Sequence, residues 1–230
     1  MIYITGDKHA DFSEVYEFCC ENKTTLNDIL IVLGDAGINY YADDKDYLLK
    51  NSLREYPITL FCIHGNHEER PENIKTYKTK IFHNGIVYYE EEYPNILFAK
   101  DGEVYDLNGN KTFVIGGAYS VDKDFRLLKG YRWYPSEQPN ESIKKTVIEK
   151  LKVMHNNVDI ILSHTCPYKY LPRETFLSGI DQSKVDNSTE YFLDKIEEKN
   201  KYKIWYCGHY HIDKKIDKLI FMFNDIREFK

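Results

Sequence analysis

Long apolar runs are what this chain most lacks. No stretch approaches the roughly 20 residues needed to cross a bilayer. The first residues, Met1-Ile2-Tyr3-Ile4-Thr5, enter a strand-like pattern, with no basic stretch ahead of a long apolar one. Neither a membrane span nor a secretory leader is expected. A basic excess is missing too: 31 Lys and Arg stand against 37 Asp and Glu, a net charge of -6. Basic surfaces grip phosphate backbones, so this balance argues against a general nucleic-acid-coating role. It leaves room for a nucleotide or a short strand at a local site. Cysteine is sparse: five residues, odd in number and irregularly placed, two of them the adjacent Cys19 and Cys20. That fits a reducing cytosol better than a disulfide scaffold, and a cytoplasmic location is expected. Repeats, linkers and low-complexity tracts are absent. With 42% hydrophobic and 30% charged residues, residues 1–230 are expected to form one globular domain.

What is present is a series of short apolar runs, each delivering a small polar cluster. Met1 to Thr5 leads into Gly6-Asp7-Lys8-His9. Asp28 to Leu33 is apolar on both faces, as a buried parallel strand must be, and leads into Gly34-Asp35. Pro57 to His64 leads into Gly65-Asn66-His67-Glu68, Val158 to Leu162 into Ser163-His164, and Lys203 to Cys207 into Gly208-His209-Tyr210-His211. Helical spacing covers Phe12 to Asn22 (with Ser13 as N-cap), Asp43 to Glu55, Glu141 to Met154 and Thr189 to Lys199. Strands alternating with helices predict a layered α/β domain. In the middle, Gly85 to Tyr89, Ile96 to Ala99, Glu103 to Leu107 and Thr112 to Ile115 read as short antiparallel strands. Asp101-Gly102 and Asn108-Gly109 read as hairpin turns between them. A long polar and aromatic loop follows Gly116-Gly117 and runs to Asn140, Lys169 to Asn187 is irregular, and Lys215 to Phe223 closes with one or two strands.

The clusters share one chemistry. Two carboxylates (Asp7, Asp35), one amide (Asn66) and four imidazoles (His9, His164, His209, His211) are ligands that divalent ions accept. A carboxylate between two ions can bridge them about 3.5–4 Å apart, and such pairs act on phosphate esters. Two dications with two carboxylates leave a local charge of about +2, which attracts phosphate to an otherwise acidic chain. Gly6, Gly34, Gly65 and Gly208, ahead of four of the clusters, let the backbone turn sharply at a strand end.

These blocks, in this order from Gly6 to His211, resemble those of the calcineurin-like metallophosphoesterase superfamily. The resemblance implies a four-layer α/β/β/α sandwich: two mixed β-sheets flanked by helices, with a dimetal site at the strand ends. It implies Asp7, His9 and His211 on one ion, Asn66, His164 and His209 on the other, and Asp35 bridging both. His67 is not a ligand in this pattern; it faces the substrate and protonates the leaving oxygen or stabilises charge on it. Asp35 and His67 are therefore the expected catalytic residues. The implied reaction is in-line attack by a metal-bound hydroxide. Manganese is the first expectation for the ions, and iron, zinc and nickel accept the same ligands. The substrate is a phosphorylated small molecule, nucleotide or phosphoprotein. Gly-Asn-His-Glu is phosphatase-like and favours a phosphomonoesterase. A phosphodiesterase acting on nucleotides or nucleic acid is the alternative, ahead of a non-catalytic metal-bound scaffold.

One departure stands out. Ile38 sits where much of the family places a second Asp that orients the catalytic His, leaving Glu68, Asn39 or an acid such as Asp43 to hold His67, or His67 less tightly oriented. Substrate contacts are expected from Asn66 and from the long loop, through Tyr119, Arg126 and Arg132, with Arg70 and Arg173 as further candidates. The plainer reading of that loop is a packed surface segment with aromatic anchors. His64, His83 and His155, and Cys166 and Cys207 beside ligand positions, read as packing residues. Glu68 and Glu69 read as solvated or as supports behind the ligands.

Overall fold

A computed structural model describes residues 1–230. The first apolar runs form β1 (Ile2–Thr5), β2 (Ile29–Val32) and β3 (Thr59–Cys62), separated by α1 (Ser13–Asn22) and α2 (Tyr47–Arg54). The middle holds β4 (Lys78–Phe82), β5 (Gly85–Glu90), β6 (Tyr93–Ala99), β7 (Val104–Leu107) and β8 (Asn110–Ile115). Then come α3 (Lys123–Lys129), α4 (Glu141–Val153), β9 (Ile160–Ser163), α5 (Ser188–Lys199) and β10 (Ile204–Cys207). β11 (Lys214–Ile216), β12 (Leu219–Phe221) and β13 (Arg227–Glu228) close the chain.

The strands make two mixed sheets, in the orders β13-β1-β2-β3-β6-β5-β4 and β11-β12-β10-β9-β8-β7. Parallel pairing runs through the centre of each, β1 to β2 to β3 to β6 and β8 to β9 to β10 to β12. Antiparallel strands finish the edges. Strand alternation divides the core. Ile29, Ile31 and Leu33 point between the sheets, where they meet Val114, Ile160 and Leu162 of the second sheet. Leu30 and Val32 point outward against Val15 and Cys19 of α1 and Leu53 of α2. On the far side Ile161 and Trp205 meet Val147 and Leu151 of α4 and Leu193 and Ile196 of α5. Helix, sheet, sheet and helix are thus stacked in the expected order. No helix is long and apolar enough to cross a membrane.

Several local expectations need correction. Asp101-Gly102 is not a hairpin turn. It carries the chain from β6 in one sheet to β7 in the other. Asp101 caps that crossover, accepting from Gly116 N at 2.6 Å and pairing with Arg70 at 2.6 Å. Asn108-Gly109 does form the β7–β8 hairpin, with positive φ of 54° and 77° at its two residues. Ser13 is the first helical residue of α1 and Phe12 holds the cap position; Asp11 Oδ1 receives the Ser13 amide and hydroxyl at 3.1 and 2.6 Å. The loop after Gly117 contains α3, which buries no residue and so shows no apolar stripe in sequence. β4 and the two-residue β13 also escape the sequence pattern.

Candidate active site

The parallel centres of both sheets end at one place, the usual position for a site in an open α/β sheet. The turn after β1 brings Asp7 and His9, the turn after β2 brings Asp35, and the turn after β3 brings Asn66 and His67. From the second sheet, β9 brings His164 and β10 brings His209 and His211. These turns are strained. His9, Asp35, His209 and His211 have φ of 45°, 45°, 67° and 51°, a region that side-chain-bearing residues visit rarely and that clusters at functional sites. Backbone bonds hold the turns together: Lys8 N and His9 N both donate to Asp35 O, at 3.1 and 2.7 Å. At Gly65 an added Cβ would strike Asp35 Oδ1, and at Gly208 it would strike Asp7 Oδ1. Those glycines are needed because a carboxylate from another turn occupies their Cβ space, for Gly208 one from the opposite sheet.

Asp7, His9 and His211 place one ligand atom each within 4.8 Å of one another, as do Asp7, Asp35 and His164. Asp7 Oδ2 lies 3.3 Å from His211 Nε2 and 3.8 Å from His9 Nε2, and His9 Nε2 lies 3.0 Å from His211 Nε2. Asp7 is common to both groups, and Asp35 belongs to the second while also facing the first. Asp35 Oδ2 faces His9 and His67 at 4.0 and 3.8 Å, and its Oδ1 faces His164 at 3.7 Å. Asn66 joins the second group, its Oδ1 lying 2.8 Å from His164 Nε2. His209 is outside both tight groups; its ring packs 5.0 Å from that of His164, and its amide donates to Asp7 Oδ1 at 2.9 Å. The first group is half open to solvent at His9 and His211, whereas Asp35, Asn66 and His164 are buried.

Whether these groups suit cations is decided by their protons. His164 Nδ1 faces the Leu33 carbonyl at 2.7 Å, and a carbonyl only accepts, so Nδ1 carries the proton. Nε2 faces the amide oxygen of Asn66, so with only Nδ1 protonated these would be two acceptors turned toward each other. That amide is oriented by its Nδ2, which donates to Ser120 Oγ at 2.9 Å. Two acceptors facing each other repel unless a cation lies between or beside them. Asp7 Oδ2 is buried without a hydrogen-bond partner, a costly condition for a carboxylate. Both features fit divalent ions. Burial alone would raise the Asp7 carboxyl, but His164 and His211 outweigh it and hold it below its ordinary value. Burial opposes ionisation of Asp35 as well, and His164, His67 and His9 overcome it. Burial, aided by His164, drives His209 down to about 3, leaving a neutral imidazole. Cys166 and Cys207 are buried thiols pushed up by that burial, and neither joins a donor group.

None of the three residues expected to orient His67 does so. Glu68 turns inward and accepts from Gly65 N at 2.9 Å; burial raises its carboxyl to about 8, so it is not solvated. Asn39 accepts from Tyr77 OH at 3.0 Å, and Asp43 pairs with Arg132 at 3.0 Å. His67 instead lies beside Arg126, with Nη2 3.3 Å from Nε2. Burial pulls the His67 ring below its ordinary pKa, Asp35 opposes, and Arg126 reinforces the drop.

Among the expected substrate contacts, Arg126 and Asn66 reach the site and Tyr119 lines the pocket in front of it. Arg132 is engaged by Asp43, and Arg173 is exposed, with its guanidinium 5.6 Å from the Tyr168 ring centroid. Arg70 is buried under the site, donating to Asp101 and to Ser136 O at 2.6 and 2.7 Å. The loop from Gly117 to Asn140 therefore fits both readings. Trp133 and Tyr134 tie it down, donating to Glu137 Oε2 at 2.7 Å and to Tyr40 O at 2.9 Å, while Arg126 on α3 reaches inward. The sequence reading passed over Ser120, which fixes the Asn66 amide, and Asp122, which holds Arg126 Nε at 2.8 Å. It also passed over Glu190, an acid on the buried side of α5 three residues before Leu193. An acid inside an apolar stripe is the one signal that marks it.

A four-layer α/β protein with carboxylates and imidazoles converging at its strand ends is the class that fold and site define. The sequence profile of the family described as calcineurin-like phosphoesterase matches residues 1–213, and the chain belongs to that family. Solved structures share the architecture. One crystal structure superposes with a TM-score of 0.50 at 11% identity, over 96% of this chain and 88% of its own. That likeness is one of fold alone. No curated protein matches the sequence.

Proposed function

We propose that the protein is a phosphomonoesterase that holds two divalent ions. The observation carrying this reading is the position of Asp35, whose two carboxylate oxygens face different donor groups. Asp7, His9 and His211 would hold one ion; Asn66, His164 and His209 would hold the other, with Asp35 shared. When bound, such a pair supplies Lewis acidity and lowers the pKa of water so that a nucleophile exists at neutral pH. Manganese suits this mixed oxygen and nitrogen set, as do iron, zinc and nickel.

The chain's own residues do the rest. Asn66, buried beside Asp35, offers its amide N–H to the phosphoryl group at the floor of the site. Arg126, steered by Asp122, offers a guanidinium to the outer phosphoryl oxygens. A monoester carries up to two negative charges and a diester one, so this extra cation favours the monoester. As Arg126 turns to phosphate it releases His67 Nε2, which then manages the proton of the departing oxygen. In the overall reaction the ester O–P bond breaks, a bond from a water oxygen to phosphorus forms, and the water proton ends on the alcohol.

The test is hydrolysis of p-nitrophenyl phosphate and bis-p-nitrophenyl phosphate by metal-stripped protein, with Mn²⁺ restored and His67→Ala alongside. Metal-dependent turnover favouring the monoester is expected, and His67→Ala should retain its ions yet lose about 10²–10⁴-fold in rate. A preference for the diester would overturn the monoesterase reading. Ion loss in His67→Ala would overturn the role given to His67. Failure to bind divalent ions would move a scaffold role to the front.

A further inference from the structure

A pocket of about 510 Å³ opens directly on Asp35, Asn66 and His67. Its far wall is built by the segment after β9, a stretch with no regular strand or α-helix. Leu171, Phe176, Leu177, Ile180 and Val185 from that segment give the wall an apolar character, and Tyr119 faces them from the loop after β8. The stacking of Phe176 on Tyr210, at 6.5 Å between centroids and 21° between planes, ties the segment to the turn that carries His209 and His211.

Two features of the lining define what it accepts. No Lys or Arg lines the pocket, whereas Asp122 and Glu190 do. A second phosphate or a polyanionic strand would find no countercharge there. Glu190 is 3% exposed, its Oε1 accepts from Thr165 Oγ1 at 2.8 Å, and its Oε2 has no partner. A buried carboxyl oxygen without a partner needs a donor. Apart from Thr165 and Glu190's own backbone N–H, no donor of the chain serves this carboxyl, and Glu190 lines the pocket.

We propose that this pocket is the alcohol subsite of the phosphoesterase, and that it takes a compact aromatic monoester bearing an amine or N–H donor that meets Glu190. The proposal rests on the phosphomonoesterase reading and adds the substrate class to it. The phosphoryl group sits at the Asp35 end, the ring lies against Phe176 and Ile180, and the donor reaches the acid in the α5 wall. A nucleotide polyphosphate is disfavoured by the acidic lining, which offers its extra phosphates no countercharge.

The experiment compares tyramine O-phosphate with phenyl phosphate, glycerol 2-phosphate and ATP on the metal-loaded protein. The two aryl esters have leaving groups of similar acidity, so their difference reports the amine. Tyramine phosphate should exceed phenyl phosphate in kcat/KM by roughly 10- to 100-fold, the scale of a charge-assisted hydrogen bond. Glu190→Gln should erase most of that difference, read as the ratio of kcat/KM for the two esters. Ile180→Asp should raise KM for phenyl phosphate without the same effect on glycerol 2-phosphate. In parallel, binding of tyramine itself to metal-free protein is followed by NMR, with Glu190→Gln as control. Equal kcat/KM for aryl and glycerol esters, insensitive to Ile180→Asp, would overturn the subsite while leaving the phosphoesterase intact. If no ester is turned over, the parent reading fails, and tyramine binding that Glu190→Gln abolishes would still support the pocket. Absence of that binding would overturn it.

Discussion

Nη2 of Arg126 lies 3.3 Å from Nε2 of His67. A guanidinium only donates, so His67 Nε2 is an acceptor in this arrangement. Under the proposed mechanism this cation would have to move before Nε2 could handle a proton.

Replacing Arg126 by Ala should therefore cost the monoester more than the diester. We expect kcat/KM for p-nitrophenyl phosphate to fall by about 10- to 100-fold, and for the bis ester by much less. Ion content should not change. Equal losses on both esters would show that Arg126 does not read phosphate charge.

Asp35→Asn keeps an acceptor for the His67 amide, now 2.9 Å from Oδ1, but loses the shared negative charge. Activity should fall by at least about 100-fold, beyond the roughly 10- to 100-fold carried by groups behind a ligand. Metal analysis after dialysis should find fewer ions per chain, while circular dichroism stays native. Full ion content in this variant would argue against a shared ligand.

Arg70 and Asp101 form a pair with side chains only 4% and 7% exposed. Arg70→Met strands the Asp101 carboxylate and removes the bond to Ser136 O. A loss of about 3–5 kcal/mol in urea unfolding is expected, the cost of breaking a buried pair from one side. A loss below about 1 kcal/mol would return Arg70 to the substrate-contact candidates.

Burial raises the Glu190 carboxyl to about 7 from its ordinary 4.5, against the lowering effect of the Thr165 hydroxyl. The folded state therefore holds a proton that the unfolded chain releases, so stability is full below about pH 4.5 and declines as pH rises toward 7. Glu190→Gln should flatten that part of the pH–Tm curve of the metal-free protein. A chain this size shifts by about 2–4 °C per kcal/mol, within reach of calorimetry. Identical slopes in wild type and variant would show that Glu190 does not carry the linkage.

Much of this was legible in sequence because the parallel strands are buried on both faces. Ile-Leu-Ile-Val at β2 can only be such a strand, and a polar pair after it can only be at its end. Asp7, Asp35, Asn66 and His164 could be singled out on that basis. What stayed hidden depends on contacts between distant segments. Asp101-Gly102 carries a hairpin signature, yet its neighbours belong to different sheets, and no local pattern records that choice. Arg126, Arg132, Arg70 and Arg173 were equivalent as letters. Only the partners Asp122, Asp43 and Asp101 separate the one that faces the site from two that are held elsewhere. α3 has Phe125 and Leu128 exposed at 52% and 83%, so the periodicity that reveals a helix was missing.

His9 and His211 touch although 202 positions separate them. During synthesis the amino-terminal sheet can form long before the carboxy-terminal one emerges, because domains assemble from the end made first. A chain stopped short of Gly208 has Asp7 and Asp35 but lacks two imidazoles, and it offers an ion only a fragment of the donor set. Closing so distant a pair is a slow, high-contact-order event. Ions that bind the finished form alone would then draw the last sheet into place by mass action. On the proposed function the centre would thus serve as a check on completion, withheld from every chain that has not been made and folded as far as His211.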